Sequence, residues 1–212
     1  MSSRLVRLVL LMKNREAANF WEENTIMRKN FGAKAFTYPQ PVLMIATYGA
    51  DGTPNVMNAA WGGITGETQI SICVGDDHKT LENIVIRRAF TISMADAAHI
   101  AACDYVGLVS GKKVPDKFAR AGFTALKSEL VDAPIIQELP ICLECRFASY
   151  DDETEVLVGE IVNVSVDECV LNENGSVDVA KAAPITFDPF NHTYVKLGEI
   201  VGKAFHDGLA LK

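Results

Sequence analysis

The chain has 212 residues, of which 49% are hydrophobic and 22% charged, enough for one well-buried domain and too apolar for a disordered one. Its net charge of −7 argues against nonspecific nucleic-acid binding. That charge is uneven: residues 1–35 carry seven Lys/Arg against three Asp/Glu, or +4, leaving −11 for the rest.

The first segment, Leu5 to Met12 behind Arg4, is apolar but too short to span a membrane. Arg7 interrupts it and no small-residue cleavage site follows, so an amphipathic helix or an upstream extension is the reading. Residues 13–30 are polar with helical spacing at Ala17, Phe20 and Trp21, and Met27 can serve as a start. Residues 1–26 are therefore expected to form a helical extension to a main domain over 27–212.

From Pro41 the character changes. Pro41 to Tyr48 is a nearly continuous apolar run, as in a strand covered on both faces. Asp51-Gly52 signals a hairpin turn, Asn55 to Trp61 returns as the partner strand, and Gln69 to Val74 is a third. Gly62-Gly63 between them reads as a glycine-loosened turn. Lys79 to Arg88 is a short helix with Leu81, Ile84 and Val85 as its buried stripe, and Ala89 to Met94 is another strand. Asp96 reads as the N-cap of a helix running to about Val106 and stopped by Gly107. Pro115 to Ala121 is a short helix ended by Gly122. Ile141, Leu143, Cys145 and Phe147 alternate with polar partners, and Val156 to Val166 alternate in return across the acidic tip 151–155, a long antiparallel hairpin.

Many short strands with few helices indicate a closed or partly closed antiparallel barrel. No G-x-G-x-x-G or G-x-x-x-x-G-K-[ST] occurs, so neither a Rossmann domain nor a P-loop is supported. Five scattered cysteines point to reduced thiols in a cytoplasmic protein. Cys142 and Cys145 are spaced C-x-x-C, but residues three apart on a strand face opposite ways, which favours two buried thiols over a disulfide or a metal pair. The four histidines (78, 99, 192, 206) have no metal-ligand spacing, and no Ser/His/Asp arrangement supports hydrolysis.

The stretch Asn55 to Asn83 organises the chain. Strand, glycine pair, strand and helix start together suit a flat aromatic ligand with an anionic tail: open backbone for the ring, a helix N-terminus for the charge. His78, Lys79, Thr80 and Asn83 are the candidate anion contacts. On local sequence alone the favoured reading is a capped helix start with solvated charges, because Asp76 and Asp77 place negative charge beside them. Asn58, Ala59, Ala60 and Trp61 are the candidate ring contacts, and a core Trp at a strand end is the competing reading. The strand end Cys73, Val74 and Gly75 completes the candidate set.

Asn30 to Met44, Gly52 to Gly63, Lys79 to Ile84, Asp104 to Gly111, Asp116 to Phe118, Leu143 to Cys145 and Leu197 to Phe205 together resemble the flavin reductase-like, or flavoredoxin, family. The resemblance covers residues 28–206. It implies a mainly β fold, an antiparallel Greek-key split β-barrel with a few short helices, assembled as a homodimer with FMN at the subunit interface. It places the isoalloxazine edge against Asn58 to Trp61 and the phosphate near His78, Lys79, Thr80 and Asn83, and brings His192 to the partner's site. The implied function is an FMN-binding oxidoreductase, an NADH- or NADPH-dependent flavin reductase that passes electrons to free flavin or an acceptor protein. The alternatives are a flavoredoxin-type electron carrier and a flavin-free ligand-binding barrel. No side chain is expected to act as acid or base, and no metal, nucleic acid or membrane is implied.

Overall fold

The computed structural model describes residues 28–212. The chain forms two compact units, residues 1–35 and 36–212. The expectations for residues 1–27 lie outside the described residues, and residues 28–35 contain no helix or strand. All that follows concerns the second unit.

Its strands are Gln40–Pro41 (β1), Leu43–Tyr48 (β2), Pro54–Ala59 (β3), Gly62–Gly66 (β4), Gln69–Cys73 (β5), Ala89–Met94 (β6), Ala125–Lys127 (β7), Pro134–Ile136 (β8), Ile141–Asp151 (β9), Val156–Val166 (β10), Ile185–Asp188 (β11) and Thr193–Lys196 (β12). The helices are Lys79–Arg87 (α1), Ile100–Leu108 (α2), Lys117–Arg120 (α3) and Val179–Ala182 (α4). Seven strands form one antiparallel sheet in the order β3-β2-β6-β9-β10-β5-β4, while β1-β11-β12 and β7-β8 form small accessory sheets.

The strand order itself forces closure. β3 and β4 lie at opposite edges of the large sheet, yet only Ala60 and Trp61 separate them in the chain. Six inter-strand steps would put those edges about 29 Å apart in a flat sheet. A two-residue link reaches about 11 Å at most. The sheet therefore curls until its edges almost meet, giving the expected split barrel, with a seam at Ala60-Trp61.

β2 shows why one strand can serve two layers. Leu43 and Ile45 point into the barrel with Ile72, Phe90, Ile92 and Leu157. Val42, Met44 and Ala46 point outward into a second apolar layer with Val106, Phe118 and Ile136. The period of two splits a continuous apolar run between two cores, as its sequence predicted. The β2–β3 turn also forms as expected: Asp51 Oδ1 accepts from Thr53 N at 3.0 Å and Gly52 takes φ +83°.

Four local expectations change. Gly62-Gly63 opens a strand, with Gly62 opposite Ile72, because a Cβ at Gly62 would come within 2.8 Å of the Ser71 carbonyl. Here glycine permits close strand approach and does not loosen a turn. Gly107 lies inside α2, so it does not stop the helix; a side chain there would overlap the Asn58 amide. Asp96 does not cap α2 directly, since it accepts from Ala98 N and His99 N one turn earlier. Val85 is half exposed, because α1 buries Thr80, Leu81, Asn83 and Ile84. Val85 lies about 100° further round the helix from Ile84, outside that stripe.

All five cysteines are free, and Cys142 and Cys145 are both buried. Burial pushes their thiols up, to about 11 and about 12. Among the described residues no helix is long and apolar enough to cross a membrane, and no cluster of His, Cys, Asp and Glu has metal-site geometry.

Candidate functional site

α1 follows the end of β5 across the five-residue turn 74–78. Its N-cap residue His78 makes no side-chain capping bond, so the first-turn amides have no side-chain acceptor from that residue. The His78 ring instead sits 3.0 Å from the Gly75 carbonyl and 3.2 Å from Asp77 Oδ1. Lys79 Nζ donates to Glu82 Oε1 at 2.6 Å. Both side chains are solvent-accessible, and an anion can compete with Glu82 for the Lys79 ammonium.

Behind this rim lies a buried polar network joining β2, β3 and α1. Asn55 Nδ2 donates to Thr80 Oγ1 at 2.9 Å, and Asn83 Nδ2 donates to Thr47 Oγ1 at 3.0 Å. The two amide oxygens are left over. Three buried side-chain atoms among the described residues lack a partner: Asn55 Oδ1, Asn83 Oδ1 and Ser93 Oγ. Both asparagines line a cavity of about 540 Å³ with Gly49, Thr53, Lys79 and Lys112. Such orphaned acceptors are uncommon in native interiors and need an explanation.

A second cavity, about 280 Å³, adjoins the first and shares Lys79 and Gly111 with it. It is lined by Asn58, His78, Thr80, Gly107 and Lys117, among others. Asn58 is held there by Nδ2 donating to the Cys103 carbonyl at 2.9 Å. Added side chains at Gly107 and Gly111 would run into the Asn58 and Asn55 amides. The α2 end and the loop after it can approach β3 this closely only because both positions lack a Cβ.

Lys117 is the strongest electrostatic feature of the wall. It is 3% exposed, and its ammonium donates to the Val106 and Val109 carbonyls, both at 2.9 Å. Those carbonyls belong to the C-terminal end of α2, the negative end of its dipole. No ion pair among the described residues includes this lysine. Burial pushes its pKa down to about 8.

The expected site residues fall into four groups. Asn58, His78, Lys79 and Thr80 meet at the smaller cavity, and Lys79 and Asn83 at the larger. Ala59, Ala60 and Trp61 form the seam, where Trp61 is 57% exposed and therefore available to a ligand, not part of the core. Cys73 N donates to the Trp61 carbonyl at 2.8 Å, placing Cys73, Val74 and Gly75 beside that seam. Val74 itself is buried and its carbonyl accepts from the Tyr150 hydroxyl at 2.9 Å, so its side chain belongs to the barrel core. His192 stands apart. It sits at φ +54° in the β11–β12 turn, stacks on Phe187 and lines neither cavity. Asn55, Gly107, Gly111 and Lys117 were not among the site candidates read from the sequence, where Gly107 was read only as a helix stop. The Asp116-Lys117-Phe118 run was the available signal for the last of them.

The flavin reductase-like domain family matches residues 35–187. The chain belongs to that family. Similar solved structures include the flavoredoxin of Desulfovibrio vulgaris (Miyazaki F), 38% identical with a TM-score of 0.82, covering 86% of this chain and 100% of that one. The flavoredoxin of Methanosarcina acetivorans is 26% identical with a TM-score of 0.78, covering 88% and 100%. Nitrilotriacetate monooxygenase component B of Bacillus cereus, 20% identical with a TM-score of 0.68 over 85% and 100%, shares the fold. In this flavin reductase-like chain the matched span 35–187 includes every residue lining both cavities.

Proposed function

We propose that this chain binds FMN and acts as a flavin-dependent oxidoreductase, oxidising NADH or NADPH and delivering electrons to free flavin or an acceptor protein. The observation that carries the reading is Lys117. A buried ammonium satisfied only by carbonyls is costly, and an anionic group in the adjoining cavity offsets that cost. The residues present fit such a ligand. Lys117, Lys79, His78 and the uncapped start of α1 suit a phosphate. The orphaned oxygens of Asn55 and Asn83 suit hydroxyl donors next to it. The open backbone of Asn58 to Trp61, with Cys73 to Gly75 beside it, suits a ring edge. Together the cavities lie within the size range of cofactor sites.

When bound, FMN supplies the two-electron chemistry. The chain's part would be to bind and orient it: the open backbone of Asn58 to Trp61 would hold the ring edge, and backbone N–H groups there would favour negative charge on it. No side chain is assigned a proton transfer. The described residues include no separate nucleotide-binding fold, so the electron donor is taken to approach the open face of the ring directly. A homodimer is part of the reading, and His192, which lines neither cavity of its own chain, is taken to reach the partner's site. The free thiols fit a reducing, cytoplasmic setting.

A visible absorption spectrum and an FMN titration test the reading. Protein that is colourless as purified, and whose melting temperature does not rise with added FMN, refutes it. The pair Lys79→Ala and Thr80→Ala is expected to weaken FMN more than riboflavin; equal losses would remove the phosphate assignment. The second reading, a flavoredoxin-type carrier, is favoured by the 38% identity to a flavoredoxin. It predicts negligible steady-state NAD(P)H oxidation with excess free flavin, together with reduction by a protein donor.

A further inference from the structure

The barrel end that carries the Ala60-Trp61 seam also carries an apolar cleft of about 320 Å³. Pro41, Leu43, Met94, Pro184, Ile185 and Leu197 line it, among others. Register fixes its distance from the seam. Ala59, Leu43 and Met94 lie side by side on β3, β2 and β6, so the cleft begins one strand spacing from Ala59 and reaches Met94 about 10 Å away. Leu43 is the shared wall: its Cδ1 stands 3.2 Å from where a Cβ at Gly62, the residue after the seam, would lie. The cleft shares no lining residue with the two polar cavities.

No described residue lining the cleft is charged, which disfavours an ionic guest. The polar exceptions are Thr186 and Gln40. Thr186 Oγ1 donates to the Gln40 backbone carbonyl at 2.7 Å, so that hydroxyl is used. Gln40 is only 8% exposed, and its side-chain amide has no hydrogen-bond partner among the described residues. Buried amide donors need an acceptor, and a carbonyl oxygen in the cleft supplies one. The volume is at the small end of ligand pockets and suits one or two fused rings. A flat, neutral guest with a ring carbonyl meets all of these conditions. The nearness of the seam adds a further one, that the guest accept electrons.

We propose that this cleft binds a neutral quinone of one or two rings as an electron acceptor, with its carbonyl oxygen held by the Gln40 amide and its ring against Leu43, Met94 and Leu197. The proposal rests on the flavin reading above and adds an acceptor class to it. NADH or NADPH loses a hydride. The quinone gains that electron pair and two protons, one from the hydride and one from solvent, and leaves as the hydroquinone. The probe is tetramethyl-1,4-benzoquinone, which has no ring C–H for the exposed thiols of Cys73 and Cys169 to attack. Its binding to the full chain without NADH is measured by isothermal titration for the parent, Gln40→Leu and Leu197→Trp, the last filling the cleft from a half-exposed position. Micromolar binding is expected for the parent, about fivefold weaker for Gln40→Leu and at least about twentyfold weaker for Leu197→Trp. FMN affinity and melting temperature of both variants should stay near the parent's. In steady-state NADH oxidation by the FMN-loaded chain, both variants should raise the KM for quinone and leave the rate with ferricyanide, which needs no pocket, unchanged. Quinone that does not bind the parent, or that binds both variants as it binds the parent, overturns the proposal. Equal losses with quinone and ferricyanide overturn it as well. A chain that takes up no FMN refutes the flavin reading and the acceptor role together, and the titration without NADH then decides by itself whether the cleft is a quinone site.

Discussion

Two buried polar clusters sit in the same barrel and are finished differently. On the β9–β10 side, Glu144 Oε1 accepts from Asn163 Nδ2 at 2.6 Å and Oε2 accepts from the Ser128 hydroxyl. Ser128 Oγ in turn accepts from Leu130 N and Val131 N, both at 3.0 Å. Every carboxylate oxygen is used, and the knot ties the 128–134 segment to the sheet. On the β2–β3–α1 side the amide nitrogens of Asn55 and Asn83 are used and their oxygens are not, while nearby Lys117 is buried without a carboxylate. The first cluster serves stability. The second carries unmet donors and acceptors of the kind that a ligand completes, and only it borders the two cavities.

Replacing Glu144 by Leu should have the largest effect. It strands Ser128 and Asn163, and unfolding free energy by urea titration is expected to fall by about 3 kcal/mol. FMN affinity of the folded fraction should stay within about twofold, since Glu144 lines neither cavity. If flavin binding fell in step with stability, the division between the clusters would be wrong. Next comes Lys117→Met, expected to weaken FMN about thirtyfold by fluorescence titration while leaving riboflavin within about threefold. Asn83→Leu repeats the Glu144 replacement on the other cluster. It loses one hydrogen bond but also removes an orphaned acceptor, so apoprotein stability should shift by less than about 1 kcal/mol while FMN weakens about tenfold.

The smallest effect is on pH. Because burial holds Lys117 at about 8 in the folded chain, FMN affinity should decline a few-fold as pH rises through that value, and Lys117→Arg should abolish the decline. Apoprotein stability moves the opposite way. The folded pKa lies below the unfolded 10.5, so the unfolded chain holds this proton more tightly and the contribution of Lys117 to stability rises between about pH 8 and 10.5. The buried thiols act against it above pH 9, because folding favours their protonated form. The lysine contribution is therefore read as the difference between the parent and Lys117→Met.

Much of the barrel was legible because its signals are local. The apolar run of β2, the Asp51-Gly52 turn and the alternating arms of β9 and β10 each occupy a short window that fixes its own structure. The Gly62–Gly66 strand was not, since nothing in a glycine pair marks a strand until β5 is laid against it. The site divides in the same way. His78, Lys79 and Thr80 could be picked out as candidates because a helix start reads from sequence, and all three line the smaller cavity. Asn55 was missed because its importance lies in Thr80, 25 positions away, and Lys117 because its partners are the carbonyls at the far end of α2. A lysine looks solvated in any one-dimensional reading.

The Ala60-Trp61 link has one more consequence. It is the hoop that holds the two free edges of the sheet together, so its length, and not any side chain on it, sets the gauge of the barrel's mouth. Adding residues there would relax the curl and widen the opening under any guest resting on that rim. The same insertion at the acidic tip 151–155 would merely lengthen a peninsula.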